Sequence, residues 1–226
     1  MKKELLNKLV KKKFNKSEFV LIKNVENGMN YIYEKNKPLE KSFAKYKKQI
    51  NFYFNNNKSG IIENSNIFVE SYKRPIKVII VGAVNISQYL INFIKNLNLD
   101  IFVIDPRKHF FTKNRFPKVK IINEWPIKAL SKIKTESNTA LITLSHDPKI
   151  DDPALKYAIL KKFFYIGALG SKVTHLKRSA RLKKDGVSKK GISKIFSPIG
   201  MKLGGKSSAE IALSITAQLI SEINRK

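Results

Sequence analysis

The residues of this 226-residue chain that are best suited to chemistry come directly after short apolar runs in its last two thirds. Three of them, His146, Asp147 and Lys149, follow the apolar run at residues 140–144. A histidine in such a place could contact a ligand or act as a general acid or base. Together with Asp147 and Asp151 it could also hold a hard metal ion, although no spacing here is diagnostic of one. We therefore expect ligand contact.

Glycines mark a second group of candidate residues. Gly167 and Gly170 precede Ser171 at a predicted turn from a strand into a helix. Such a turn exposes backbone amides, which suit an anion. His175 and Arg178 are three residues apart, so they share one face of the helix and could extend the anion site. The alternative is a solvated basic face.

A third group of candidate residues lies near the C-terminal end. Gly200 and Gly204 approach a further predicted helix. Ser207 and Glu210 have the spacing of a capping box, which is a structural device at a helix N-terminus. The glycine-rich approach to that N-terminus is nevertheless a second candidate cradle for an anion.

An incomplete dinucleotide motif follows the first long apolar run. Gly82 occupies the first place of a G-x-G-x-x-G pattern, but Val84 and Ser87 replace the other two glycines. Val84 would obstruct a pyrophosphate, which weakens ordinary NAD binding and leaves a phosphate at the helix N-terminus as an option. Asp105 lies 23 residues after Gly82, near the usual place of a ribose-binding acid. Arg107 could meet a phosphate, or the two could form a surface ion pair.

These candidate residues require a parallel sheet whose strand ends meet at one edge. Apolar runs alternate with predicted helices from residue 78 onward, which indicates buried parallel strands with right-handed crossovers. Strands are predicted at residues 78–81, 101–104, 119–122, 140–144 and 163–166. Helices are predicted at residues 86–97, 153–162, 171–184 and 208–224. Asp152 and Pro153 are interpreted as the N-cap and first residue of the second helix.

The fold class is therefore α/β, with a Rossmann-like parallel-sheet domain at residues 75–226 and a smaller N-terminal α+β domain at residues 1–74. The smaller domain contains no motif that indicates chemistry. Its predicted elements are an amphipathic helix at 2–14, strands at 19–22 and 31–33, a helix at 41–50, and strands within 51–69 around a turn at 56–60.

The net charge of +28 raises the question of a nucleic-acid partner. The positive charge is nearly all lysine and is spread along the whole chain, whereas sequence-reading proteins rely on clustered arginine. We therefore expect no specific nucleic-acid partner. The chain has no cysteine, which excludes disulfides, thiolate metal sites and cysteine nucleophiles. The lack of cysteine also fits a reducing, cytoplasmic location, which we expect. No apolar run has membrane-spanning length, and no signal-peptide pattern is expected at the start.

Several segments, taken together and in order, resemble one known family. The matching segments are residues 81–86, 105–107, 115–117, 124–126, 146–155, 165–171, 174–175, 197–200 and 209–212. They are similar to the XdhC/CoxI group, the xanthine dehydrogenase accessory factors, over about residues 68–222. Each segment alone is a weak signal, whereas their order and spacing make the resemblance specific.

The resemblance implies a maturation factor that is a chaperone and not an enzyme. Such a protein binds molybdenum cofactor transiently, as molybdopterin or its dinucleotide form, and assists its sulfuration and insertion. The implied partners are a molybdenum hydroxylase apoenzyme such as xanthine dehydrogenase, a cysteine desulfurase and a second copy of the chain. The cofactor-binding residues expected are Gly82, Asn85, Asp105, Arg107, His146, Asp147, Lys149, Gly167, Gly170, Ser171, His175, Arg178, Gly200 and Gly204.

The chain departs from the family pattern at identifiable positions. Asn85 stands where the family usually has histidine, and Lys202 stands where it usually has an acidic residue. The first 67 residues lack the family's G-S-x-P-R-like segment and its glycine-cysteine motif. An alternative function, motivated by Gly82 and Asp105, is an NAD(P)-binding oxidoreductase.

Overall fold

A computed structural model describes residues 3–15, 17–35, 37–110, 115–117 and 119–225. The chain divides into two compact units, Met1–Pro75 and Ile76–Lys226. The sequence interpretation placed the corresponding boundary between residues 74 and 75. Lys2, the first residue of the predicted N-terminal helix, lies outside the described residues.

The first unit is a small antiparallel sheet with two helices. Its elements are α1 (Lys3–Phe14), β1 (Phe19–Asn24), β2 (Asn30–Tyr33), a 3-10 helix (Lys41–Tyr46), α2 (Lys47–Asn55), β3 (Gly60–Ile61) and β4 (Ile67–Tyr72). The strand order is β2-β1-β4-β3. The predicted strands at 19–22 and 31–33 are confirmed. The prediction of strand from residue 51 is wrong, because residues 47–55 form α2: Ile50 and Phe54 are buried on one face of the helix, whereas Phe52, which would share that face in a strand, is exposed.

The second unit contains a six-stranded sheet. Its strands are β5 (Ile76–Val81), β6 (Leu99–Ile104), β7 (Lys120–Ile122), β8 (Thr139–Thr143), β9 (Tyr165–Ala168) and β10 (Ile195–Phe196). Its helices are α3 (Asn85–Ile94), α4 (Pro126–Lys132), α5 (Pro148–Leu160), α6 (Lys172–Lys184), α7 (Lys189–Ile192) and α8 (Ser208–Asn224), with a 3-10 turn at Lys108–Phe110. Every strand pair in this sheet is parallel, which confirms the predicted Rossmann-like fold.

Both faces of the sheet are covered by helices, which explains why its strands are apolar without alternation. In β5, Val78 and Ile80 belong to the core beneath α3 and α8. Ile79 and Val81 belong to the opposite core, beneath α4, α5 and α6. Because helices cover both faces, residues 78–81 are all buried and form a continuous apolar run.

The strand order β10-β9-β8-β5-β6-β7 places the topological switch between β5 and β8. The chain proceeds outward from β5 through β6 to β7, and then returns to add β8, β9 and β10 on the other side. Ligands of open α/β sheets bind beyond the carboxyl ends of the strands at such a switch. The turns that follow β5, β8 and β9 are therefore the ones that matter for function.

The start of α5 differs from the sequence prediction. The segment contains two Asp-Pro pairs, and the sequence interpretation chose the second, at residues 152–153. In the structure, Asp147 is the N-cap, its carboxylate accepts a hydrogen bond from the Lys149 amide at 2.9 Å, and Pro148 is the first helical residue. Pro153 lies inside the helix. The earlier pair satisfies the free amides of the first turn, so the helix begins five residues sooner than predicted.

Candidate functional site

The turn after β8 is fixed by a serine and a buried carboxylate. The Ser145 hydroxyl donates to Asp151 Oδ1 at 2.7 Å and accepts from the Asp147 amide at 3.1 Å. His146, between them, is exposed and has a left-handed backbone with φ of +63°. Histidine is among the few non-glycine residues that adopt this conformation with some frequency. The turn therefore presents the His146 ring at the carboxyl edge of the sheet.

Gly82 brings the turn after β5 against the turn after β8. Its φ is +108°, and a Cβ atom at this position would lie 2.7 Å from the Ser145 amide nitrogen. Only glycine satisfies both the backbone conformation and this close approach. The sequence motif singled out Gly82 for a phosphate, whereas the structure gives it a packing reason at the switch point.

Asp105 is completely buried and its acceptor positions are taken. Oδ1 accepts from the amide and Nε of Arg107, and Oδ2 accepts from the Ala83 amide and from Arg107 Nη2, all at 2.8–2.9 Å. Burial alone would raise the pKa of Asp105, but these hydrogen bonds and the Arg107 charge lower it overall. A carboxylate offers about four acceptor positions. The prediction that Asp105 holds a ribose stays a prediction, and it would require Arg107 to move.

Two further predicted residues, Asn85 and Arg107, lie on the same side of the sheet as Asp105. Asn85 is exposed in the first turn of α3, and its Oδ1 accepts a hydrogen bond from Arg115 Nη2 at 3.3 Å. The Arg107 guanidinium stacks 4.3 Å from the centre of the Phe110 ring. Asn85 and Arg107 therefore lie beyond the ends of β5 and β6, on the β6 side of the switch point.

The turn after β9 forms one side of a cleft at the carboxyl edge of the sheet. Gly170 has a φ of +140°, and the Ser171 hydroxyl caps α6 by accepting from the Thr174 amide at 3.2 Å. Gly167 does not belong to this turn, contrary to the prediction, because β9 extends to Ala168. A Cβ atom on Gly167 would lie 2.3 Å from the Ile199 side chain, so the structure gives this glycine a packing role within β9.

Arg178 holds this turn from beneath. Its buried guanidinium donates to the Leu169 carbonyl at 2.8 Å and to Ser197 Oγ at 3.2 Å. The alternative of a solvated face at this position is wrong, because Arg178 is almost wholly buried. His175, on the same side of α6, is half-buried and its Nε2 lies 3.4 Å from Ser179 Oγ. Burial and the Arg178 charge lower the pKa of His175.

A cleft of about 580 Å³ opens between the turns after β8 and β9 and the loop at residues 198–205. It brings together four of the predicted residues, His146, Gly170, Ser171 and Gly204. Its other lining residues are Leu169, Pro198, Ile199, Met201, Lys202, Leu203, Gly205, Glu210, Ile211 and Ser214. The other ten predicted residues do not line it: Gly82, Asn85, Asp105, Arg107, Asp147, Lys149, Gly167, His175, Arg178 and Gly200.

The loop that forms one wall of the cleft is held at both ends. Gly200, with a φ of +95°, donates its amide to Gln218 Oε1 at 2.9 Å. At the other end, the Ser207 and Glu210 side chains form the predicted capping box at the start of α8. Gly204 has a φ of +84°, and no atom lies within 4 Å of the position of a Cβ. Gly204 and Lys202 both line the cleft from this loop.

Buried charges beneath these turns were missed by sequence reasoning. Asp152 pairs with Arg181 at 2.5 Å and lies 3.8 Å from the Arg178 Nε. Burial raises the pKa of Asp151 to about 6. Within the described ranges, Asp151 Oδ2, Arg178 Nε and His175 Nδ1 are buried without a hydrogen-bond partner. The signal that could have found this cluster was the earlier helix start, which turns Asp151 and Asp152 inward.

Two further properties of the described residues bear on the sequence-based alternatives. They contain no group of three histidine, aspartate or glutamate side chains that could hold a metal ion, so the hard-metal alternative at His146 lacks support. Among the helices in the described part of the chain, none combines the length and apolar character that a bilayer span requires.

Known proteins resemble this chain over different portions of its length. It is 27% identical over 164 residues to a probable xanthine dehydrogenase subunit of Bacillus subtilis, covering 72% of the chain and 48% of that protein. It is 36% identical over 101 residues to the molybdenum cofactor insertion chaperone PaoD of Escherichia coli, covering 45% of the chain and 31% of PaoD. The chain thus spans about half of the first relative and a third of the second.

Structural similarity extends over nearly the whole chain. A crystal structure described as a xanthine dehydrogenase from Bacillus halodurans superposes with a TM-score of 0.75 and 22% sequence identity. The match covers 99% of this chain and 65% of that one, and at this identity it establishes the fold alone. Residues 78–219 match the family profile of the XdhC Rossmann domain, and the chain therefore belongs to the XdhC family.

Proposed function

We propose that this protein is a maturation factor that binds molybdenum cofactor and delivers it to a molybdenum hydroxylase apoenzyme. The observation that carries the proposal is the cleft at the carboxyl edge of an XdhC Rossmann sheet, lined by His146, the start of α6 and the glycine loop. The PaoD relative is named as a cofactor insertion chaperone, which supports the same role. The role is a binding role, so none of the chain's residues is assigned to catalysis.

The chemistry of the cleft fits a pterin that carries a phosphate. Its volume of about 580 Å³ lies within the range of small-molecule sites. Leu169, Ile199 and Ile211 offer apolar surface for a flat ring. Lys202 offers a cation, and the N-terminal turn of α6 after Ser171 offers backbone amides for an anionic group. When bound, the cofactor would bring the molybdenum on which the recipient enzyme depends, and this chain would only hold and shield it.

The cofactor form and the partners are finer parts of the proposal. We infer that the ligand is molybdopterin or its dinucleotide form and that it is bound transiently. This chain has no cysteine and therefore no thiol of its own to carry sulfur. Sulfuration would thus depend on a cysteine desulfurase as partner. A homodimer and a cytoplasmic location remain expectations of the same proposal.

The oxidoreductase alternative has less support from the geometry. Asp105 is the residue on which ribose recognition would depend, and its carboxylate is buried and engaged by Arg107 and Ala83. Calorimetric titration with NAD(H) and NADP(H) checks this alternative. We expect no binding at millimolar ligand, and saturable binding would revive it.

Pterin analysis tests the proposed function directly. The protein is purified from cells that synthesise molybdenum cofactor, the bound material is oxidised, and pterin fluorescence is measured against a purification from cofactor-deficient cells. We expect pterin in the purified protein that is absent from the control purification, and faster activation of an added hydroxylase apoenzyme. Absence of both pterin and activation would refute the proposal.

A histidine variant locates the binding site within this experiment. His146→Asn keeps a residue type that tolerates the left-handed backbone while removing the imidazole from the cleft. We expect the variant to retain pterin about tenfold more weakly, because the loss of one hydrogen bond changes an affinity by about this factor. His109→Asn is the matched control, because His109 is exposed and does not line the cleft. Equal losses in both variants would contradict the assignment.

A further inference from the structure

Helix α6 leaves the cleft with an apolar stripe on its outer face. Val173 and Leu176 are 62% and 68% exposed, and Ala180 is exposed as well. Their spacings of three and four residues place them in one row along the helix. The row begins two residues after Ser171, which lines the cleft. Exposed apolar side chains that are grouped in one row, unlike those scattered singly over a surface, point to a binding surface.

Cations border this stripe on both sides. By helical geometry, Lys172 and Lys183 lie along one edge and Lys177 and Lys184 along the other. All four are exposed, and none forms an ion pair with any residue that the structure describes. The surface is therefore an apolar row framed by exposed ammonium groups.

The opposite face of α6 is already committed to its own unit. Arg178 and Leu182 are buried there, and Arg178 holds the turn after β9. The helix cannot rotate to bury its outer row without losing these contacts. A partner must therefore come to it.

The charges select the kind of partner. A second copy would place lysines opposite lysines, which opposes association. A nucleic acid would use the ammonium groups but would leave Val173 and Leu176 in water. Membrane binding through one valine, one leucine and one alanine would be weak, because its strength scales with the apolar area that enters the bilayer. A protein surface with an apolar patch bordered by carboxylates satisfies both the row and its frame.

We propose that the outer face of α6 is the docking surface for an acidic surface of the recipient apoenzyme. This α6 surface consists of the apolar row Val173, Leu176 and Ala180 and the four lysines that border it. The inference rests on the proposed function, because it makes the recipient the occupant. Docking beside the mouth of the cleft would allow a bound cofactor to pass across without release into water. The apolar rim at Leu203 and Met201, which are 54% and 41% exposed, extends the same character to the cleft itself.

A charge placed in the row tests this surface. Leu176→Asp puts a carboxylate where the recipient's carboxylates are expected, and the matched control is Leu160→Asp, at a 70% exposed leucine that ends α5. The probe is the apo form of a molybdenum hydroxylase from the same organism, and its affinity is measured by interferometry. We expect Leu176→Asp to bind about tenfold or more weakly and Leu160→Asp to bind like the parent chain. Circular dichroism and thermal unfolding confirm that both variants are folded.

Pterin content separates this inference from the proposed function. We expect both variants to retain as much pterin as the parent chain, with slower activation of the hydroxylase only for Leu176→Asp. Unchanged hydroxylase affinity in Leu176→Asp, or equal losses in both variants, would overturn the docking surface even if pterin is bound. If the parent chain carried no pterin and did not activate the hydroxylase, but Leu176→Asp still weakened hydroxylase binding, the proposed function would be overturned and the docking surface would stand. If Leu176→Asp weakened binding only to vesicles of phosphatidylcholine and phosphatidylserine, the docking surface would also be overturned.

Discussion

Asp151 illustrates how a single side chain acquires properties that its type does not predict. Its carboxylate is almost fully buried, accepts a hydrogen bond from Ser145, and leaves Oδ2 without a hydrogen-bond partner among the described residues. Burial disfavours the charged form, and the pKa of Asp151 rises to about 6 in spite of the nearby Arg178. In the unfolded chain the same group would titrate at its ordinary value.

The pH dependence of stability follows from this shift. Between the ordinary aspartate pKa and about 6, the native state binds the proton that the unfolded state has released, so this group's contribution falls as pH rises. Asp151→Asn keeps an oxygen for Ser145 and removes the titration. We expect the variant to gain roughly 2–3 kcal/mol relative to the parent chain between pH 4 and pH 7. Urea unfolding across this range measures the difference, and parallel pH profiles would contradict the expectation.

Residue types and spacing predicted where chemistry would lie better than they predicted which side chains face it. His146, Gly170, Ser171 and Gly204 line one cleft, as residues that follow strands in a parallel sheet should. Arg178 was assigned to the same region, but its side chain is turned inward to support a backbone turn. Sequence spacing fixes the face of a helix, whereas the choice between ligand and structural partner depends on packing.

At the scale of elements, the sequence pattern predicted a helix or strand correctly where only one assignment fitted the residues, and it failed where two assignments fitted equally well. The run from Ser207 through Glu210 admits a single helix start, and the capping box is observed there. The two Asp-Pro pairs at 147–148 and 152–153 are chemically equivalent, and only the docking of α5 on the sheet distinguishes them. The aromatic residues at 52–54 fit strand and helix alike until the exposure of Phe52, between the buried Ile50 and Phe54, decides for helix.

The loop between β10 and α8 provides a test of how an element depends on its glycines. Gly200 and Gly204 both have left-handed backbones, so alanine is unfavourable at each. A Cβ on Gly200 would also overlap the Ser214 side chain and lie 3.2 Å from its backbone carbon, whereas Gly204 faces open space. We expect Gly204→Ala to lower the free energy of unfolding by about 1 kcal/mol and Gly200→Ala by about 2–4 kcal/mol. Chemical denaturation measures both, and equal losses would show that the overlap is relieved by movement of α8.

At the scale of the whole molecule, charge is distributed without regard to the site. The net charge is +28, and lysines occur from the first residues of the chain to its last. The four lysines of the α6 surface are therefore distinguished by the apolar row that they frame and not by their charge. A field of this size attracts any polyanion at low ionic strength.

Association with nucleic acid is thus expected to report charge alone. Binding to two duplexes of equal length and unrelated sequence is measured by fluorescence anisotropy. We expect equal affinities that fall steeply as the salt concentration is raised, because each contact with a phosphate releases condensed counterions. Leu176→Asp serves as the control, because it lowers the net charge of +28 by only one unit. It should leave the affinity for the duplexes nearly unchanged while weakening the complex with the hydroxylase. Preference for one duplex that persists at physiological salt would mean that the lysines include a specific nucleic-acid surface. Equal, salt-labile binding would instead mean that the lysines attract nucleic acid through charge alone, without a surface that recognises a particular duplex.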